Sequence, residues 1–146
     1  MNNDAIREEL ERLKAEGIIR PADVVAKAAN PNSAMHSWFE WDDTEAAQQH
    51  RIWQARQLLR VFVTVEAKDS APMRAFVSLG SDRHGAGGYR ALADVLSNEA
   101  LRAQLLADAI KDLRSSERKY RQLQELSGVW SALEKVESKD AVTPAA

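Results

Sequence analysis

The side chains that could do chemistry in this chain of 146 residues are few and lie far apart. Its three histidines, His36, His50 and His84, do not have the His-Glu-x-x-His spacing of a helical zinc site, and there is no cysteine. Thiol nucleophiles are therefore excluded. His36 and Glu40 could join the two aspartates that follow around a divalent ion, but carboxylates at this kind of position more often cap or solvate helices. We predict no enzyme activity, no metal site and no resident cofactor.

The glycine-rich segment 80–90 is the next candidate, since glycine-rich loops can cradle phosphates. It holds four glycines within residues 80–88, together with Arg83 and Arg90. A P-loop needs Lys followed by Ser or Thr after its glycines, and the dinucleotide fingerprint needs a third glycine where Arg90 stands. Neither motif fits, and no Gly-x-Ser-x-Gly nucleophile elbow is present. Two interpretations stay open: a simple connector, or a flexible basic arm that follows a nucleic-acid backbone.

A helix predicted over about residues 43–60 carries side chains suited to DNA. Its apolar stripe consists of Ala47, Ile52, Trp53, Ala55, Leu58 and Leu59. The other face offers Gln48, Gln49, Arg51 and Arg56. Arginine presents a bidentate fork, and glutamine both donates and accepts hydrogen bonds, so these residues could contact phosphates and base edges. The same residue types are also ordinary on a solvated helix face.

Charge is distributed unevenly along the chain, although the formal net charge is only -2. Residues 1–45 carry 5 basic against 10 acidic side chains, residues 46–93 carry 7 against 3, and residues 94–146 carry 8 against 9. The start is thus acidic and the middle basic. A basic middle favours contact with a polyanion, because the local field matters more for such an encounter than the total charge.

Three aromatic side chains, Trp38, Phe39 and Trp41, stand within four residues beside three acids. One interpretation places them in the core, with Asp42 capping the next helix and Glu45 completing a capping box. The other makes them an exposed acidic-aromatic surface that anchors a protein partner, such as a host factor. The second interpretation supplies the alternative function of this chain: an adaptor or inhibitor.

The elements around these residues predict an α+β, mostly helical fold. A first helix spans about residues 4–16 and stops at Gly17, and a second begins at Pro21 and ends at Asn30-Pro31. After the third helix the apolar period changes from 3.6 to 2 over residues 61–79. Because the intervening residues 68–72 form a short polar loop, this segment predicts an antiparallel hairpin.

The order helix, helix, helix, hairpin over residues 4–79 resembles the winged helix-turn-helix family. The resemblance implies that Gln48, Gln49, Arg51 and Arg56 lie on a recognition helix and that Lys68 is a wing contact. The third helix is longer than a usual recognition helix, and the acidic-aromatic segment before it departs from the pattern. The whole chain also resembles small phage and prophage proteins through two segments, His36-Ser37-Trp38-Phe39-Glu40-Trp41-Asp42-Asp43 and Trp53-Gln54-Ala55-Arg56-Gln57-Leu58-Leu59-Arg60.

The last third predicts one long helix over residues 97–137, followed by a disordered tail over residues 138–146. Apolar residues recur at alternating spacings of three and four, which is a heptad seam interrupted by serines. We expect the seam to associate copies of the chain through Leu106, Leu113, Tyr120, Leu123 and Trp130. The alternative is a helical hairpin that folds back at Gly128 within one chain.

Taken together, the sequence predicts a helical head with a hairpin over residues 1–96, an oligomerisation helix over residues 97–137 and a tail. The function that fits best is an oligomeric DNA-binding protein, phage-derived, that regulates transcription or organises DNA as a homodimer or larger assembly. Without cysteines, a leader or a long apolar segment, the expected location is the bacterial or infected-host cytoplasm, at the nucleoid if DNA is bound, and not a membrane.

Overall fold

The computed structural model has an α+β, mostly helical fold, as the sequence predicts, and includes a long C-terminal helix. It divides into two compact units, residues 1–101 and residues 102–146. The boundary lies close to the predicted end of the head at residue 96. The structure describes residues 2–41, 44–64, 71–85 and 87–142.

The first helix, α1, spans Asn3–Arg12 and is capped by Asn2, whose side-chain oxygen accepts a hydrogen bond from the amide of Ala5. It ends at Arg12 instead of at the predicted residue 16, and Gly17 is not its C-terminal cap. Glu16 and Gly17 both have positive φ, 55° and 78°, and form a tight turn between the paired residues Ala15 and Ile18. Glycine is therefore needed here for a hairpin-type turn rather than for a helix cap.

The next two helices are α2, Pro21–Ala28, and α3, Glu45–Val61. Pro21 occupies the start of α2, as its fixed φ and missing N–H favour. Thr44 caps α3 by accepting a hydrogen bond from the amide of Ala47 at 3.2 Å. The N-cap that the structure shows is thus Thr44, and Asp42, the predicted cap, lies outside the described residues.

Two short antiparallel strand pairs replace the single predicted hairpin. Strands β1, Val63–Thr64, and β2, Met73–Arg74, pair with each other, and β3, Phe76–Val77, pairs with β4, Arg90–Ala91. The predicted second strand is split at Ala75, whose amide donates to the carbonyl of Phe62 while its carbonyl accepts from Leu92. Helix α4, Leu92–Ser97, follows directly. The hairpin is thus shorter than the predicted 61–79, and Val61 still belongs to α3.

The core of the first unit forms where α1, α2 and α3 meet the strand segments. Phe62 and Phe76 pack with ring centroids 6.0 Å apart, which joins the end of α3 to β3. Burial of apolar side chains of this size contributes about 1.5–3 kcal/mol each, so these residues dominate the stability of the unit. The fully buried large side chains of this unit are Ile6, Leu10, Ile19, Pro21, Val24, Met35, Leu58, Leu59, Phe76, Leu79 and Val95.

The second unit is a helical hairpin rather than one continuous helix. Helix α5 spans Glu99–Tyr120 and α6 spans Ser127–Val142, and residues 121–126 connect them with a 3-10 turn at Gln124–Leu126. The predicted run to about residue 137 is therefore wrong, and the alternative of a hairpin is what the chain adopts. Its turn lies before Gly128. There the amides of Leu123 and Leu126 donate to the carbonyls three residues earlier, whereas an α-helix uses the carbonyls four residues earlier.

An ion-pair cluster fastens the two helices of this hairpin. Arg114 on α5 donates to both carboxylate oxygens of Glu137 on α6, at 2.8 and 2.5 Å, and to Glu117 at 2.5 Å. The hydrogen bonds from Arg114 lower the pKa of Glu137 below its ordinary value.

Helix α6 continues to Val142, so the predicted disorder from Ser138 is wrong for residues 138–142. Among the described residues, no helix is long and apolar enough to cross a membrane.

Candidate nucleic-acid interface

The outer face of α3 brings together polar, basic and aromatic side chains, and none of them is acidic. Gln49, Trp53, Arg56 and Arg60 are spaced by four, three and four residues, so they share one face of the helix, and all four are exposed. Trp53 is the largest of them and is 53% exposed. These four residues, together with His50, are called the α3 outer face below.

His50 and Trp53 form a stacked pair at the centre of this face. Their ring centroids are 5.5 Å apart and their planes are inclined by only 18°. Because the imidazole covers part of the indole, it limits the rotamers of Trp53 and holds the large ring in place on the surface. A held ring loses less entropy when it contacts a ligand than a freely rotating one does.

The electrostatics of the α3 outer face are positive. Arg56 and Arg60 make no ion pair or side-chain hydrogen bond within the part of the chain that the structure describes. The only acid in α3 is Glu45, in its first turn. Both guanidinium groups are therefore available to a phosphate, which arginine can bind through two parallel N–H groups.

Arg51 and Gln48, two of the predicted DNA contacts, are engaged in holding the fold. Arg51 is 9% exposed and donates to the side-chain oxygen of Gln48, at 2.8 and 3.3 Å, and to the carbonyl of Glu40, at 3.2 Å. Its guanidinium also lies 5.3 Å from the ring centroid of Trp41, within cation–π range. The prediction that Arg51 contacts DNA does not fit this placement, because its guanidinium is buried and hydrogen-bonded; Gln48 is exposed, but its side-chain oxygen is used by Arg51.

The glycine-rich segment 80–90 is held in place by Arg90 and does not form a free basic arm. Arg90 donates to both oxygens of Asp82, at 2.7 and 2.9 Å, and the two side chains are 17% and 5% exposed. These hydrogen bonds raise the pKa of the Arg90 guanidinium. Arg83 is exposed and donates to the carbonyl of Ser78 at 3.0 Å. The connector interpretation therefore fits Arg90, while Lys68 lies outside the described residues.

The aromatic segment Trp38, Phe39 and Trp41 packs against the core of the first unit. Phe39 is 7% exposed, and the two tryptophans are half-buried against it. Their indole N–H groups donate to backbone carbonyls, Trp38 to Gln54 at 3.2 Å and Trp41 to His36 at 2.9 Å. This placement fits the core interpretation, since buried indoles require such acceptors.

The histidine and carboxylate side chains that the structure describes do not gather into a metal site. Nδ1 of His36 lies 2.8 Å from the carbonyl of Ala28, so this histidine is used locally. No group of three or more His, Asp or Glu side chains that could hold a metal occurs among the described residues. A groove of about 150 Å³ beside β2 and α4 is lined by apolar side chains with Arg7, Glu11 and Arg74, without a histidine or a hydroxyl group.

The second unit presents an apolar groove between α5 and α6. Leu133 is its buried residue, at 5% exposure, whereas Leu106, Leu113, Val129 and Val136 line the groove and are 39–49% exposed. The indole N–H of Trp130, also in the groove, is buried and has no acceptor. Tyr120 and Leu123, the other predicted seam residues, are exposed at the turn end of the hairpin. The groove is called the hairpin groove below.

Sequence reasoning missed the central residues of the α3 outer face. Trp53 was assigned to the apolar stripe and His50 and Arg60 were given no role, although the spacing of Gln49, Trp53, Arg56 and Arg60 indicates a common face. The apparent amphipathicity was misleading because Arg51 lies on the buried side. No protein-family model matches this sequence, and comparison with curated proteins and with solved structures finds no significant similarity.

Proposed function

We propose that this protein binds DNA through the α3 outer face. The observation that carries the proposal is an exposed tryptophan followed on the same helix face by two arginines that have no acidic partner among the described residues. Arg56 and Arg60 contact phosphates, and Gln49 and Trp53 contact the neighbouring nucleotides on the N-terminal side of the two arginines. This surface shares Gln49 and Arg56 with the one that the winged-helix resemblance implies, but lacks Arg51, which is engaged within the fold.

Two arginines give a weak site, since each neutralised phosphate contributes mainly through the release of counterions. Binding to a single copy is therefore expected to be salt-sensitive and of low affinity. A second site in the same assembly would raise the affinity by avidity, without any new type of contact.

We propose that a second copy of the chain covers the hairpin groove. The second unit has about 45 residues, and among those described Leu133, at 5% exposure, is its one buried apolar side chain, so it lacks a core of its own. Domains this small usually need oligomerisation, a disulfide or a bound metal to be stable. Pairing two hairpins would make a four-helix bundle in which the apolar sides of α5 and α6 face their counterparts.

The exposed area and the charge favour a second copy as the occupant. Six large apolar side chains of this unit, four in the hairpin groove and two at the turn end, are each 39–49% exposed and together expose roughly 400–500 Å² per chain, the size of the largest patch on a typical monomer. Two such patches bury on the order of 1,000 Å², near the lower limit for a specific interface. Residues 102–146 carry 8 basic and 7 acidic side chains, so no strong field selects an oppositely charged partner.

The resulting protein is a DNA-binding oligomer, with regulation or organisation of DNA as its role and no catalysis of its own. The alternative, an adaptor that captures a protein through Trp38, Phe39 and Trp41, receives less support. Phe39 is buried and both indole N–H groups already have acceptors. A partner would have to displace these contacts before it could use them.

Fluorescence anisotropy of a labelled random duplex, at roughly 50 and 200 mM salt, tests the DNA proposal. We expect wild-type binding to weaken steeply with salt, and Arg56→Ala/Arg60→Ala to reduce affinity and to lower the salt slope by roughly two. The matched control is Arg118→Ala/Arg121→Ala, which removes two exposed arginines from the second unit. Equal losses in both double variants would contradict the assignment to α3.

Light scattering of the 146-residue chain, as it elutes from a size-exclusion column, tests the proposed self-association through the hairpin groove. We expect the wild type to have the mass of a dimer or larger oligomer and Leu113→Glu to be a monomer, because a buried unpaired carboxylate opposes pairing. Ser115→Glu adds the same charge at an exposed position that does not line the groove and should leave the mass unchanged. A wild-type monomer at about 50 μM would refute self-association at the affinity that such an area supports.

A further inference from the structure

The centre of the α3 outer face is the aromatic pair of His50 and Trp53, not an amide or a guanidinium group. An α-helix with its side chains has a diameter of about 10–12 Å, which already fills a major groove about 12 Å wide. Trp53 projects from the middle of the exposed side, between Gln49 and Arg56. Its bulk keeps the helix away from paired base edges, and its single N–H donor can read little of their pattern.

We propose that Trp53 is a stacking platform for an unpaired base, so that the preferred ligand is single-stranded rather than duplex DNA. This inference rests on the proposed function of the same face. An indole with 53% of its surface exposed offers a broad π-face that any base can cover once it is free of its partner strand. Bases inside a duplex already stack on their neighbours and cannot use it.

His50 helps to hold the indole of Trp53 in position before a ligand binds. It stacks on Trp53 with ring centroids 5.5 Å apart and planes inclined by 18°, so it covers one face of the indole. A base on the opposite face of the indole would extend the stack from two rings to three. Because the pair is present in the free protein, the binding site does not need to be assembled by the ligand.

Arg56 and Arg60 follow Trp53 by one and two helical turns, so they are positioned to hold the backbone on the C-terminal side of the stacked base. They are one helical turn apart, about 5–6 Å, and lie on the same face as Trp53. With no acid on α3 beyond its first turn, the strand meets two positive side chains and no negative one from this helix. A basic track combined with an aromatic side chain is the arrangement by which proteins bind single strands without reading their sequence.

The experiment compares a labelled 20-mer of thymidylate with a 20-base-pair duplex in the same anisotropy titration, for the wild type, Trp53→Leu and Trp53→Tyr. We expect the wild type to prefer the single strand by at least about 10-fold, and Trp53→Leu to weaken single-strand binding by roughly 10-fold to 100-fold while duplex binding changes little. Trp53→Tyr should retain most of the preference. Since Trp53 is exposed, both variants are expected to fold, which circular dichroism verifies.

The outcomes separate this inference from the proposed function. Equal affinity for both ligands in the wild type, or an equal loss for both in Trp53→Leu, would overturn the single-strand preference and leave DNA binding standing if Arg56→Ala/Arg60→Ala still weakens it. Absence of binding to either ligand at low salt would overturn both. Tighter binding to the duplex than to the thymidylate strand would also overturn the stacking platform.

Discussion

Replacing Asp82 by Asn should destabilise the first unit far more than a comparable change at a surface carboxylate. Asp82 accepts two hydrogen bonds from Arg90, at 2.7 and 2.9 Å, and is 5% exposed. The Arg90 guanidinium also approaches Gly17 so closely that a Cβ there would lie 3.4 Å from its Nη1. The variant leaves this arginine charged, confined and without a carboxylate.

The magnitude follows from how far each partner is buried. Removal of one member of a fully buried ion pair costs about 3–5 kcal/mol, whereas an exposed pair contributes about 0–1 kcal/mol. Arg90 is 17% exposed, so part of its charge can be hydrated after the loss of Asp82. We therefore expect a loss of about 2–3 kcal/mol in the free energy of unfolding, roughly a 1–2 M shift in the urea midpoint.

Urea unfolding followed by tryptophan fluorescence measures this change, because three of the four tryptophans lie in the first unit. The matched control is Asp94→Asn, which breaks a 2.9 Å ion pair with Lys14 in which Asp94 is 48% exposed. That control should cost less than about 1 kcal/mol. A loss in Asp82→Asn no larger than in Asp94→Asn, at an unchanged m-value, would refute the structural role of the Asp82–Arg90 pair.

Three further changes have expected outcomes that the same methods can measure. Gly88→Ala would place a Cβ 2.4 Å from Cγ2 of Ile18 and should cost about 1–3 kcal/mol in urea unfolding. Thr44→Ala removes the N-cap of α3 and should cost about 0.5–2 kcal/mol, whereas Thr44→Asp should cost little. Because Arg114 lowers the pKa of Glu137, the ionised pair stabilises the hairpin above the ordinary pKa of 4.5, and this contribution is lost as pH falls through the lowered value. The acid-induced loss of helicity by circular dichroism should shrink in Glu137→Gln, and an unchanged acid response would contradict the assignment.

Local signals in the sequence predicted the positions of most helices. Apolar spacing identified α1 through Ile6 and Leu10, and Pro21 located the start of α2, because helical periodicity and the fixed φ of proline act over a few residues. The predicted strands were less accurate. The extended segment after α3 divides at Ala75 because its hydrogen bonds go to two different parts of the chain, Phe62 and Leu92, which no local pattern encodes.

The candidate site could be predicted only in part. Basic and amide residues on α3 were identified, and Gln49 and Arg56 do lie on its exposed face. Arg51 was placed on the same surface by residue type alone. Its burial depends on Glu40 and Trp41, whose carbonyl and ring it reaches from a different segment of the chain.

The sequence by itself determined the α+β, mostly helical character of this protein and the residues from which α3 is built, because propensity, periodicity and capping are properties of neighbouring residues. Only the tertiary structure decided which side of α3 faces outward and where the C-terminal segment folds back. Arg51 can be buried because partners distant in sequence satisfy its hydrogen bonds, and Trp53 is exposed because the core is filled by Ala55, Leu58 and Leu59. Such choices depend on contacts between segments, which local sequence does not specify.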